Sequence, residues 1–105
     1  MQTNAIVIVS LVSPKEKIWG QLLRLESPGV TVRGIKIEAF DDLIRQIGRQ
    51  EETAVGPETV FFPMHRVERI ALDESNGSIP SLSECFHSKV GMTIEAYLET
   101  DVRKV

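Results

Sequence analysis

The stretch Glu58 to Asp73, ETVFFPMHRVERIALD, decides how this 105-residue chain is read. Val60, Phe61 and Phe62 are strand formers, and Pro63 cannot donate a ladder hydrogen bond, so a first strand stops there. Val67, Ile70 and Leu72 resume the apolar pattern, first at the spacing of one 3₁₀ turn and then at the spacing of a strand. The expectation is strand, tight corner, strand. Such a corner lets a curved sheet fold over into a small closed barrel. Successive side chains of a strand point to opposite faces, so one barrel interior takes only one of Phe61 and Phe62. The other needs a helix or a second copy of the chain over it.

Upstream of this corner, three further strands are expected. Ala5 to Val12 is apolar on both faces until Ser10 and is closed by Ser13-Pro14, which predicts a strand covered on both sides. Lys15 to Lys17 form a charged loop. Ile18 to Glu26 (IWGQLLRLE) follows as a strand bent at Gly20, with its inward set passing from Ile18 to Leu23 and Leu25. Ser27-Pro28-Gly29 carries the residues of a tight turn, and Val30 to Ile37 (VTVRGIKI) returns antiparallel. Val30 and Val32 share one face with Gly34, where a second bend is expected. Trp19 either stacks on a nucleic-acid base or fills the barrel mouth, and packing is the commoner fate.

The period then changes. Phe40, Leu43, Ile44 and Ile47 occupy helical spacings, with Glu38, Asp41 and Asp42 early and Arg45 and Arg49 late, as the helix dipole favours. An inserted amphipathic helix is predicted over about 38–50, with the open end of the barrel as its natural partner. Gly48 to Pro57 has little apolar content and is expected to be a mobile linker. After an Asn76-Gly77 turn, Ser81-Leu82-Ser83-Glu84 has the pattern of a capping box. Leu82, Cys85, Phe86 and Val90 continue a helical face, Gly91 is placed to stop it, and Thr93 to cap a last short helix. A helical extension over about 79–100 is predicted, ending in a frayed tail from Thr100. The chain is thus expected to be one domain, with the barrel at about 5–73.

Composition narrows the function classes. Hydrophobic residues make up 42% and charged residues 26%, as in ordinary globular domains. The net charge of -3 lacks the basic surplus of a dedicated nucleic-acid binder. Cys85 is the single cysteine, so no intramolecular disulfide forms and a reducing cytoplasm is expected. The opening MQTNAIVIVSLV has no basic residue ahead of its apolar run and no small-residue cleavage site, and the run falls far short of the roughly 20 residues of a membrane-spanning helix. Neither a signal peptide nor a membrane partner is expected.

No constellation supplies a reaction. Cys85 and His87 are two ligands where structural zinc wants four, and they diverge by about 200° around a helix. Cys85 is read as a small core residue instead. Asp41 and Asp42 are adjacent, so they do not share a helical face. There is no phosphate loop, dinucleotide fingerprint or nucleophile elbow. No enzyme activity, metal, cofactor or small-molecule substrate is expected. His65 and Arg66 in the corner, with Arg69 beyond and Lys17 in the first hairpin, are candidates to meet RNA or a partner's acidic groups; the competing reading is a solvated turn whose charges pair with each other. Lys15, Lys17, Arg24, Arg33 and Lys36 are interleaved with Glu16, Glu26 and Glu38, which suits ordinary solvated strand faces better than a basic patch.

The order strand, bent Gly-containing strand, strand, variable segment, strand, corner, strand resembles the small SH3-like barrels, and within them the Sm-like group that includes the bacterial Hfq type. The likeness covers Ala5 to Leu72; Gly20-x-Leu22 resembles the bent second strand and Pro63-Met64-His65-Arg66-Val67 the turn between the last two strands. That resemblance implies a homo-oligomeric ring or dimer assembled through edge strands, with RNA bound by loop residues. The acidic residue and asparagine of the family's second-to-third-strand loop are replaced here by Ser27-Pro28-Gly29, so only His65 and Arg66 carry over as RNA contacts. The fold class predicted is mainly β with added helices (α+β), a five-stranded bent antiparallel SH3/Sm-like barrel. Its expected role is a non-enzymatic cytoplasmic binding or assembly module that self-associates through sheet edges, with Val60, Phe61 and Phe62 at the interface. The alternative is Sm-like RNA binding through His65 and Arg66.

Overall fold

Ile6, Val7, Ile8 and Val9 are all β-branched, and β-branched side chains pack well on a pleated surface; they build strand β1, Ile6–Leu11. The computed structural model describes residues 1–49 and 56–100. β2 (Glu16–Glu26), β3 (Gly29–Lys36), β4 (Glu58–Pro63) and β5 (Val67–Leu72) complete one antiparallel sheet in the order β4-β3-β2-β1-β5. The charged loop expected at Lys15 to Lys17 is shorter than predicted, because β2 already begins at Glu16 opposite Leu11.

Alternate residues of β1 supply two separate cores. Val7, Val9 and Leu11 face one side, where they meet Ile18 and Leu22 of β2, Val30 and Val32 of β3 and Phe62 of β4, with Val67 and Ile70 of β5 packed against them. Side chains from both outermost strands reach this one cluster, so the sheet curls around it. Gly20 and Gly34 lie directly opposite each other. A Cβ on Gly20 would come within 2.3 Å of the Arg33 carbonyl oxygen, and one on Gly34 within 2.1 Å of that of Trp19. Only glycine permits so close a backbone approach.

Several expectations are corrected. The sheet is not closed into a barrel: among the described residues no ladder joins β4 to β5. A cleft of about 390 Å³, lined by Val32, Val60 and Phe62 among others, opens on the curled side. The 3₁₀ turn lies at Met64–Arg66, ahead of Val67. The spacing of three between Val67 and Ile70 comes from a register shift opposite Ser10 and Leu11, a β-bulge that inserts Glu68. Alternation from Ile18 carries the inward set to Leu22 rather than Leu23, and a second shift between Leu22 and Arg24 then brings Leu25 opposite Val30, where it is 46% exposed at the rim.

The opposite face carries Ile6, Trp19 and Ile35, and helices cover it. A 3₁₀ turn at Ile37–Ala39 leads into α1 (Phe40–Arg49); α2 (Leu82–Val90) and α3 (Ile94–Thr100) follow β5. Phe40 and Leu43 of α1, Phe86 of α2, and Ile94 and Leu98 of α3 are buried on this face. Trp19 meets Phe40 edge-on with ring centres 5.2 Å apart and Phe86 at 5.9 Å, and Phe86 meets Tyr97 at 5.7 Å. So α1 packs on the outer face and not over an open barrel end, and Trp19 lies beneath the helices rather than in a barrel mouth. The curled side already carries its own core of Val, Leu, Ile18 and Phe62, and the helices' apolar faces cover the other side. Most of the expected linker, together with Gln50 at the predicted helix end and the tail from residue 101, lies outside the described residues.

The start of α2 is closely specified. Ser81 Oγ accepts from the Glu84 amide while Glu84 Oε1 accepts from the Ser81 amide, the expected capping box. Asp73, at the end of β5, accepts from the Leu82 amide at 2.9 Å, from the amide and hydroxyl of Ser83 at 2.8 and 2.6 Å, and from Trp19 Nε1 at 2.9 Å. One carboxylate thereby satisfies free N–H groups of the helix start and ties them to the buried tryptophan. Gly91 ends the helix in the left-handed conformation. No helix among the described residues is long and apolar enough to cross a membrane.

Candidate functional site

The corner after β4 positions Arg66. Its Nε donates to the Val12 carbonyl at 3.1 Å, and one Nη donates to the Pro14 carbonyl and to Glu16 Oε2, both at 2.9 Å. The guanidinium also stands 5.8 Å from the centre of the Phe62 ring. Arg66 therefore latches the corner to the β1–β2 turn, using the forked geometry that suits a guanidinium to several acceptors at once. Lys36 approaches the same carboxylate at 3.3 Å. Hydrogen bonds from Arg66 and then Lys36 hold Glu16 below the usual carboxylate range, outweighing the opposing effect of burial. His65 projects from the same turn into solvent. Of the two residues proposed to touch RNA, one is committed to holding the fold and the other is exposed.

Lys17 and Arg69, the other two candidates, are brought together. Lys17 of β2 and Arg69 of β5 each lie directly opposite Ser10 of β1. Opposed antiparallel residues share a face with Cβ atoms about 5 Å apart, so the three form one row across the sheet. The row lies on the helix-covered face but beyond the end of the helical core, which stops at Ile8. Ser10 is only 7% exposed, and its hydroxyl hydrogen-bonds to none of the described residues. Lys17 and Arg69 are exposed and take part in no ion pair among the described residues. Ser10 and Lys17 also line a cleft of about 440 Å³, bordered by Lys15, Lys36, Glu38 and Glu68. Sequence reasoning missed Ser10; its signal was that it breaks an otherwise apolar strand.

The interface candidates separate. Phe62 is buried in the curled core, Val60 is half-buried against it, and Phe61 is 53% exposed on the other face of β4. The ring of Phe61 lies across Gly29 of the neighbouring strand, in the space a side chain there would fill. The helices do not reach it. Of the other cations considered, Arg24 pairs with Glu26 and Arg33 donates to Thr59. Cys85 is half-buried against the helical core, as expected, and His87 is exposed. Among the described residues no group of three or more potential metal ligands gathers.

No protein-family model matches this chain, and comparison with curated proteins and with solved structures finds no significant match.

Proposed function

We propose that the chain is a non-enzymatic cytoplasmic binding or assembly module that self-associates through the uncovered edges of its sheet. The observation that carries this is the state of β4: an outermost strand bearing a half-exposed phenylalanine that none of the described helices covers. Hydrogen-bonded pairs alternate along an antiparallel ladder. The Met64 amide donates to Pro28, so counting back leaves the main-chain groups of Thr59 and Phe61 turned away from β3. On β5 the Asp73 amide donates to Ile6, and the same count leaves those of Ile70 and Leu72 turned outward. Main-chain groups at a free edge invite another strand, and an apolar side chain beside them adds buried area. Phe61 and the edge of β4 form the interface in this proposal; Phe62 contributes only by shaping the strand from within.

The likeness to small SH3-like, Sm-like barrels is consistent with this reading through the strand order and the 3₁₀ corner between the last two strands. Light scattering during size-exclusion chromatography tests it. The chain is expected to elute above monomer mass at micromolar concentration, and Phe61→Glu to elute as a monomer with an unchanged circular dichroism spectrum, because the side chain is already half in solvent. A wild-type monomer under those conditions removes the proposal.

A further inference from the structure

We propose that the cross-strand row Lys17, Ser10 and Arg69 binds a small molecule carrying one phosphate group. The inference does not depend on self-association. A buried hydroxyl without a hydrogen-bond partner is unfavourable, and Ser10, which has none among the described residues, is in that state at the wall of an open cleft. The two side chains directly beside it in the sheet are both cations without an ion-pair partner among the described residues. An oxyanion seated on the row takes the Ser10 hydroxyl as a neutral donor and the lysine and arginine as charged ones. That combination gives the buried hydroxyl an acceptor and engages two exposed cations in charge-assisted hydrogen bonds. Glu16, which also lines the cleft, does not compete, because Arg66 and Lys36 already hold it.

The cleft that Ser10 and Lys17 line, beside Arg69, selects the kind of molecule. Glu38 and Glu68 stand on its border. They repel a chain of phosphates but accept hydrogen bonds from hydroxyl groups, so one phosphate on a hydroxyl-bearing carrier fits better than RNA. No bond is made or broken in this proposal; the site binds.

The test is a titration of the isotope-labelled full chain, followed by amide chemical shifts, with inorganic phosphate, glycerol phosphate, glycerol and a short oligouridylate. Saturable shifts centred on Ser10, Lys17 and Arg69 are expected with both phosphates, at lower concentration for glycerol phosphate, and none with glycerol. Lys17→Gln and Arg69→Gln are each expected to weaken binding about tenfold. Ser10→Ala is expected to weaken it several-fold while leaving the melting temperature equal or higher, since the variant removes an unsatisfied buried group. All three variants keep the fold, because two are on the surface and the third only loses a hydroxyl. Absence of saturable shifts with either phosphate overturns the proposal, as do shifts that persist unchanged in both glutamine variants. Binding of oligouridylate to the row without binding of the phosphates also overturns it, in favour of nucleic acid.

Discussion

The two faces of the sheet bury different chemistry. On the side around which the sheet curls, the core is aliphatic apart from Phe62: three strands contribute Val7, Val9, Leu11, Ile18, Leu22, Val30 and Val32. On the helix side it is built around Trp19, Phe40 and Phe86, with Tyr97 against them. A curled sheet brings its own strands close together, and short branched side chains fill that narrow interior. A helix stands farther from a sheet, and aromatic rings reach across the gap while their edge-on contacts add to the buried area. The curled core is held by the ladder as well as by packing. The helical core is held by packing and by the few polar ties at Asp73 and the capping box.

The largest expected effect separates the two cores directly. Phe86→Ala is expected to cost about 4 kcal/mol, and Val9→Ala, equally buried but smaller, about 2 kcal/mol. Chemical denaturation measures both. Trp19 is the only tryptophan and lies on the helix side, so its emission is expected to shift to the red in native Phe86→Ala and to stay unchanged in native Val9→Ala. Equal shifts in the two variants would mean that the faces are not separate units.

Next in size is Asp73→Ala, expected to cost about 3 kcal/mol through the loss of charged hydrogen bonds at the start of α2. Native-state hydrogen exchange is expected to show α2 and α3 opening in this variant while the amides of β1 and β2 keep their protection. Uniform loss of protection across both regions would contradict the view that Asp73 ties helices to sheet rather than supporting the sheet itself.

The smallest effect sharpens the other side of the comparison. Hydrogen bonds from Arg66 and Lys36 place Glu16 below its unfolded value of 4.5, so its contribution to stability is present in full above that pH and is lost as the pH falls through the folded-state value. The stability difference between wild type and Glu16→Gln, followed by denaturant unfolding from neutral pH to pH values below 4.5, is therefore expected to shrink on acidification. A difference that stays constant over this range would show that the carboxylate's charge plays no part in the latch.

Much of the sheet was legible from local pattern. Alternation placed Val30 and Val32 on one face, and the opposed directions of Phe61 and Phe62 follow from strand geometry alone. The capping box at Ser81 and the stop at Gly91 were equally readable, because caps are local chemistry. The misassigned strand faces share one cause. At Glu68 and at Leu23 a bulge shifts the register, so a sequence spacing no longer reports which face a residue occupies. The site was half visible: Lys17 and Arg69 stood out as cations, but they are 52 residues apart in sequence and Ser10, which joins them, looked like no more than a break in an apolar run. Arg66 looked available for a ligand because its acceptors, the Val12 and Pro14 carbonyls and Glu16, lie about fifty residues away along the chain.

By itself the sequence determined which segments are strands and which are helices, and which residues of each are apolar, since these depend on neighbours within a few positions. Only the tertiary structure decided that the sheet stays open, that the helices cover the face opposite the curled core, and which charges are committed and which stand free. Those outcomes depend on how distant strands align and on which surface remains after the first core is filled. No local pattern encodes either.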